Sequence, residues 1–177
     1  MILSLFRRNP RRAAMEVLYD RIAAASRQPA LYTDLGIPDT VEGRFESLAL
    51  HTVLLLRRLR TLPPPAGDVG QDFIDTFFKR MDASLRELGV GDMGVGKRMK
   101  KLAHSFYGRA DAYDGPLDRG DDAALAGVLG RNALGQAEPA PALAAYVLAS
   151  DRRLAGQSLD EILGTGPVFA DPKETPR

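Results

Sequence analysis

The sequence predicts an all-α protein, a single-domain helical bundle of about six or seven helices. Apolar residues recur at steps of three and four, which is the helical period, and no segment alternates usefully at period two. Capping residues, glycines and prolines separate the periodic segments. The chain has 177 residues, 45% of them hydrophobic, which is enough for one buried core. We therefore expect a flexible N-terminus over residues 1–9, a helical domain over 10–163 and a disordered tail over 164–177.

The first predicted helix begins at Pro10. Asn9 supplies a capping side chain, and proline is favoured at the first helical position because its missing N–H would have no partner there. Pro29 interrupts this helix. A short segment then ends at Gly36.

A long helix is predicted next, opened by Asp39 and ending near Leu62. Asp39 and Glu42 have the spacing of a capping box. Residues 48–56 are apolar nearly all round, which is typical of a helix in the middle of a bundle. Three consecutive prolines then stop the helix, and residues 63–70 are predicted to be a linker.

Residues 73–113 predict two amphipathic helices joined by a glycine-rich turn, around which the rest of the chain is organised. Gly89 is a suitable left-handed stop for the first helix. Val90 would then fold back onto Leu85, as in a Schellman ending. Asp92 is predicted to cap the second helix.

The C-terminal part predicts a polar turn over residues 114–122, followed by further helices. Asp121 or Asp122 is the expected cap of the first of them. Three more helix boundaries are predicted, at Pro139 and Pro141, at Gly156 and at Ser158 with Glu161.

Composition excludes several classes of function. The net charge of +1 provides no overall basic field for nucleic acid, and the absence of cysteine removes thiolate metal sites and cysteine nucleophiles. His51 lies in an apolar helix and His104 on a polar face, so we expect a satisfied core histidine and a surface histidine. Because no nucleophile–base–orienter set is recognisable, we predict neither an enzyme nor a tightly bound cofactor or metal.

Residues 91–97 match the phosphate-loop spacing G-x-x-x-x-G-K. The next residue is Arg98, where Mg²⁺ requires a hydroxyl, and the segment follows a predicted helix instead of a strand. The glycines therefore indicate a tight interhelical turn.

A cluster of basic residues follows this turn. Four cations occupy the first turns of a helix, the end whose dipole prefers anions. They are Lys97, Arg98, Lys100 and Lys101, hereafter the cationic cluster. An anionic partner would explain them: ribosomal RNA, lipid headgroups or an acidic protein surface. The alternative is an ordinary solvated helix face.

Aromatic and methionine side chains occur close to the cationic cluster in the sequence. There are more of them than one narrow apolar stripe facing the core would need. They are Phe78, Met81, Met93 and Tyr107. Methionine adapts to irregular apolar partners, so these residues suit the binding of a membrane helix or its exposed loop. The alternative is that all four belong to the core.

Several of these segments resemble a known family. They are residues 39–46 (DTVEGRFE), His51, 55–59 (LLRRL), 77–82 (FFKRMD), 85–92 (LRELGVGD), 95–97 (VGK) and 106–109 (FYGR). Over about residues 10–155 the chain is similar to the ubiquinol–cytochrome c chaperone family. The resemblance implies an all-helical, non-enzymatic assembly factor for ubiquinol–cytochrome c reductase, respiratory complex III.

The resemblance also implies partners. Mitochondrial members bind newly made cytochrome b, work with a small helical partner and lie near the ribosomal exit tunnel. This chain begins almost at the domain without a transit peptide, so it resembles a bacterial member in the cytoplasm, with peripheral contact at the inner membrane.

The expected partner-binding surface combines the motif residues with the basic and apolar positions. It comprises Phe78, Met81, Met93, Lys97, Arg98, Lys100, Lys101, Tyr107 and Arg109. The alternative function is a helix-turn-helix-like protein that binds nucleic acid or ribosomal RNA. Direct DNA binding is disfavoured, because a DNA-binding helix-turn-helix has a shorter first helix and turn and belongs to a more basic domain.

Overall fold

The computed structural model describes residues 10–174, apart from the side chains of Asp92 and Met93. The N-terminus predicted to be flexible, residues 1–9, lies outside the described residues. Within them the chain forms eight α-helices, one short π-helical segment and no β-strand, which confirms the all-α bundle. The elements are α1 (Pro10–Ser26), α2 (Pro29–Thr33), α3 (Val41–Thr61), α4 (Ala66–Glu87), α5 (Asp92–Arg119), α6 (Asp122–Leu129), the π-helical segment Gly130–Leu134, α7 (Pro141–Ala155) and α8 (Leu159–Gly164).

Helix α3 is the centre of the bundle, as its apolar sequence predicts. It contacts α1, α4, α5 and α7. Every residue from 47 to 55 is buried, so α3 has core on all sides over more than two turns. A helix surrounded in this way needs apolar residues in consecutive positions and not only along one stripe.

The cap of α3 is one residue later than predicted. The hydroxyl oxygen of Thr40, not the carboxylate of Asp39, accepts the N–H of Gly43 at 3.1 Å. Asp39 instead accepts from Arg44 at 2.7 Å. A Cβ at Gly43 would lie 1.9 Å from the carbonyl oxygen of Pro38, so the preceding chain crosses this turn at a distance that only glycine allows.

The linker before α4 is shorter than predicted. Helix α4 already begins at Ala66, which is fully buried, and Val69 is buried one turn later. The connection is therefore Leu62 and the proline run 63–65. The glycines that indicated a loop lie inside the helix, and Gly70 is buried beside Leu59 of α3.

The turn between α4 and α5 confirms the predicted Schellman ending. Gly89 has φ of 79°, and Val90 N–H donates to the carbonyl of Leu85 at 3.1 Å. The start of α5 differs from the prediction, because Gly91 occupies the N-cap position and Asp92 is already the first helical residue. We call α4 and α5 with this turn the α4–α5 hairpin.

Helix α5 continues through most of the segment predicted to be a polar turn. It ends only at Arg119, and Gly120 with φ of 59° forms its left-handed stop. The polar sequence was misleading because its aspartates are paired: Asp114 and Asp118 both accept hydrogen bonds from Arg57 of α3. Pro116 lies inside the helix, and its buried ring contributes to the packing.

The remaining helix boundaries agree with the local capping chemistry. Asp121 accepts the N–H of Ala124 and caps α6, and Pro141 is the first residue of α7. Ser158 and Glu161 form the predicted capping box at the start of α8.

The tail prediction is wrong for residues 165–174, which lie against the bundle. Phe169 and Ala170 are buried, and the Ala170 N–H donates to the hydroxyl of Ser150 in α7 at 3.1 Å. The ring of Phe169 packs edge-on against His51. These contacts supply the segment with core partners despite its polar, proline-rich composition. Residues 175–177 lie outside the described residues.

Candidate functional site

An aromatic cluster joins α4 to α5 and marks the edge of the core. Phe77 and Phe106 are fully buried with ring centroids 5.1 Å apart. Phe78 is half-buried, 5.7 Å from Phe106 and 6.0 Å from Tyr107, whose side chain is 53% exposed. Tyr107 is therefore not an ordinary core residue, whereas Phe78 is partly in the core.

Beyond the aromatic cluster the hairpin extends past the core. No described residue between 82 and 105 belongs to the main hydrophobic core. Val95 is buried, but Leu88 is 64% exposed. Leu85, Val90, Met99 and Leu102 are half-buried. We call residues 85–104 the hairpin tip; it presents aliphatic side chains that its own two helices cover incompletely.

The cationic cluster lies on this tip. All four of its side chains are exposed, and none forms an ion pair with another residue whose side chain the structure describes. By contrast, Arg86 at the end of α4 is held by Asp82 at 2.8 Å. The cations are therefore available to a partner, which is the arrangement that the predicted surface requires.

Arg109 differs from the other predicted site residues. Its guanidinium donates to both oxygens of Glu46, at 3.0 and 2.7 Å. These hydrogen bonds raise the pKa of Arg109 and outweigh the effect of burial. The pair connects α5 to α3 and explains Arg109 as an internal contact. Met81 is half-buried against the core, and the side chain of Met93 is outside the description.

A groove of about 330 Å³ runs between α3, α4 and α5 beside the aromatic cluster. Its apolar lining includes Leu56 and Ile74, its rim carries Arg60 and Asp111, and Tyr107 forms its edge nearest the hairpin tip. Sequence reasoning missed this groove because its lining comes from three helices, and no single segment carries the pattern.

Arg57, which also lines the groove, connects three helices. Its guanidinium binds Asp114 at 2.5 Å and Asp118 at 2.9 Å, both on α5, and Asp151 on α7 at 3.3 Å. Burial alone would raise the pKa of Asp114, but the hydrogen bonds from Arg57 and Arg60 hold it below its ordinary value. The sequence placed these arginines only at a helix end; it did not indicate their partners.

His51 is a satisfied core histidine, as predicted. Its Nδ1–H donates to the carbonyl of Ser47 at 2.7 Å, and Nε2 accepts from the Tyr146 hydroxyl at 2.7 Å. Burial lowers its pKa from 6.5 to about 4, so the ring is neutral at pH 7. Both nitrogens are occupied by protein groups, which leaves neither for a haem or a metal.

This burial should make stability depend on pH. The unfolded chain takes up a proton at His51 near pH 6.5, whereas the folded protein does so only near pH 4. The contribution of the neutral His51 to the free energy of unfolding is therefore complete above pH 6.5 and is lost as the pH falls toward 4. The expected loss is about 3 kcal/mol in the free energy of unfolding. Urea unfolding at a series of pH values measures it. His51→Gln should flatten the fall between these limits, whereas the exposed-site control His104→Gln should retain it.

A direct measurement keeps this prediction testable if His51→Gln does not fold. The ring proton shifts of the wild-type protein, followed by NMR, should show His51 unprotonated down to about pH 4. Titration of the native His51 ring near 6.5 would contradict the burial argument.

Two other properties bear on function. Among the described residues, no group of histidine, aspartate and glutamate side chains has the geometry to hold a metal ion. No described helix combines the length and the apolarity that a membrane-spanning segment requires.

Comparison with known proteins places this geometry in context. The sequence model described as ubiquinol-cytochrome C chaperone matches residues 33–169, more than half of the chain. The crystal structure of the Cbp3 homolog from Brucella abortus is similar, with a TM-score of 0.82 and 42% sequence identity, covering 99% of this chain and 100% of that one. No curated protein matches in sequence.

Proposed function

Because the chain belongs to the ubiquinol–cytochrome c chaperone family, we propose that it binds newly made cytochrome b and promotes the biogenesis of ubiquinol–cytochrome c reductase, respiratory complex III. It acts by binding its client and not by catalysing a reaction. The observation that carries client binding is the exposed ring of Tyr107, which lies between an apolar groove and an incompletely covered hairpin.

The client surface is the open side of the aromatic cluster together with the groove. Phe78 and Met81 are half-buried, so they rest on the core and still present apolar surface. A membrane protein before insertion exposes apolar helices, and a concave apolar site with a polar rim suits such a segment. Methionine adapts to clients of irregular shape.

We place this activity in the cytoplasm at the periphery of the inner membrane, where cytochrome b enters the bilayer. The cationic cluster, exposed and without described ion pairs, would supply the contact with an anionic partner. A ribosome near the exit tunnel is the alternative partner for the same cluster, since ribosomal RNA presents phosphates.

Site-specific crosslinking tests the client. A photoreactive residue at position 107 should capture newly made cytochrome b in cells. The same residue at position 168 is the matched control, because Val168 is 47% exposed but belongs to the C-terminal segment and does not line the groove. Deletion of the gene should in parallel lower the levels of cytochrome b and complex III. Equal capture from both positions, or normal cytochrome b maturation after deletion, would refute the proposal.

A further inference from the structure

We propose that the hairpin tip docks on a bilayer surface rich in anionic lipid, with its aliphatic residues in the interface and its cations among the headgroups. This deepens the peripheral membrane contact of the proposed function and rests on it for the cellular setting. The binding itself requires no client, and its evidence is the charge, exposure and position of residues 85–104.

The charge of the tip is opposite to that of the rest of the chain. Residues 85–104 contain five basic and two acidic residues, and three of the five lysines of the protein lie there. Since the whole chain has a net charge of only +1, the other residues together are net negative. An anionic membrane would therefore attract the tip and repel the body, which orients the molecule with the tip toward the surface.

The cations are concentrated close to the turn. All four lie within the first ten residues of a 28-residue helix. Asp92 is the one acidic residue of the sequence between 88 and 104, so the cations repel one another with little compensation nearby. An anionic surface removes this unfavourable charge arrangement.

Aliphatic exposure at the turn distinguishes a bilayer from RNA. Leu88, the last residue before the left-handed Gly89, is 64% exposed, and Leu85 and Met99 of the tip are half-buried. Contact with RNA phosphates would use the cations but would leave these side chains in water. A bilayer interface accepts both kinds of side chain, with apolar groups below the headgroups and lysine or arginine among them.

The hairpin is anchored so that the tip is presented at a defined place. The Phe77–Phe106 contact fixes α4 to α5 where both join the core, and Val95 of α5 is buried near the tip. The two helices therefore hold the aliphatic residues and the cationic cluster on one end of the molecule.

Vesicle flotation tests the proposal with the full chain. The protein should float with vesicles of phosphatidylcholine mixed with phosphatidylglycerol, not with phosphatidylcholine alone, and less so as salt increases. Replacing Lys97 and Lys101 by serine should weaken binding about 25-fold, roughly fivefold per charge. The matched control replaces the exposed Lys79 and Lys173, outside the tip, by serine and should bind as the wild type does. Leu88→Gln should weaken the binding that remains at high salt.

Three results would overturn the inference: equal flotation with both kinds of vesicle, equal loss in the control variant, or tighter binding to a single-stranded RNA than to the anionic vesicles at the same salt. Capture of cytochrome b in detergent solution, where no bilayer is present, tests the client separately. Loss of flotation with retained capture therefore rejects only the membrane contact, and the reverse result rejects only the client.

Discussion

Phe77→Ala is expected to lower the free energy of unfolding by about 3–5 kcal/mol. The ring is fully buried and lies 5.1 Å from Phe106 and 5.2 Å from Phe78. Truncation leaves a cavity at the junction of α4 and α5, where the hairpin joins the core. The lost contacts and the cavity both contribute, because the surrounding helices cannot fully collapse into the space.

The neighbouring phenylalanine is the matched control. Phe78→Ala removes the same ring from a half-buried position, so the expected loss is only about 1 kcal/mol. Urea unfolding followed by circular dichroism measures both variants. Similar losses would contradict the assignment of Phe77 to the core and Phe78 to the surface. Phe78→Ala should instead weaken client capture while the fold stays intact.

Arg57→Ala is expected to cost about 3 kcal/mol, at the lower end of the range for breaking a buried ion pair. Arg57 is 12% exposed, while Asp114 and Asp151 are 25% and 27% exposed. Removing the guanidinium leaves the partly buried Asp151 without this partner and leaves Asp114 to the more exposed Arg60. The loss combines lost attraction with uncompensated charge at the contacts between α3, α5 and α7.

Arg60→Ala provides the comparison, since Arg60 also binds Asp114, at 2.9 Å. Its side chain is 62% exposed, and a surface pair contributes only about 0–1 kcal/mol. Chemical unfolding of both variants and of the double variant measures the difference. Equal losses from the two arginines would show that burial of Arg57 does not determine its contribution.

Local chemistry was the part of the fold that could be predicted best. The Schellman ending at Gly89 and the capping box of Ser158 with Glu161 depend on residues within six positions of one another. Their hydrogen bonds follow from residue type and spacing alone. The same holds for Pro141 at the start of α7. The predicted cap of α3 was one residue early because Asp39 and Thr40 are both residue types that cap helices well. The choice between them depends on how the chain at Pro38 passes over Gly43, which the sequence does not show.

Long-range contacts account for the larger errors. Asp114 and Asp118 indicate a turn by composition, but the arginine that pairs with them lies more than fifty residues earlier. Phe169 lies in a segment that contains Gly166 and Pro167, and its partner His51 lies in α3, more than a hundred residues earlier. No local pattern contains this information, because burial is decided by elements that are distant in the sequence.

The exposure of the candidate surface could be predicted in part, and its binding of a partner stays a prediction. The cationic cluster is exposed, because lysine and arginine side chains without an acidic partner seldom lie inside a protein. Arg109 was included for its place in the family motif, but its carboxylate partner Glu46 is sixty-three residues away. The groove beside Tyr107 has no sequence signal, because α3, α4 and α5 each contribute only a few of its residues.

The C-terminal segment has a consequence for handling the protein. Phe169 covers the His51 ring at 4.7 Å, and Ala170 satisfies the hydroxyl of Ser150 nearby. Proteolysis after Gly164 would strip this cover and hydrate the imidazole, so that its pKa would move up from about 4 toward 6.5. A nicked preparation would then be distinguishable from the intact one by the titration of a single ring.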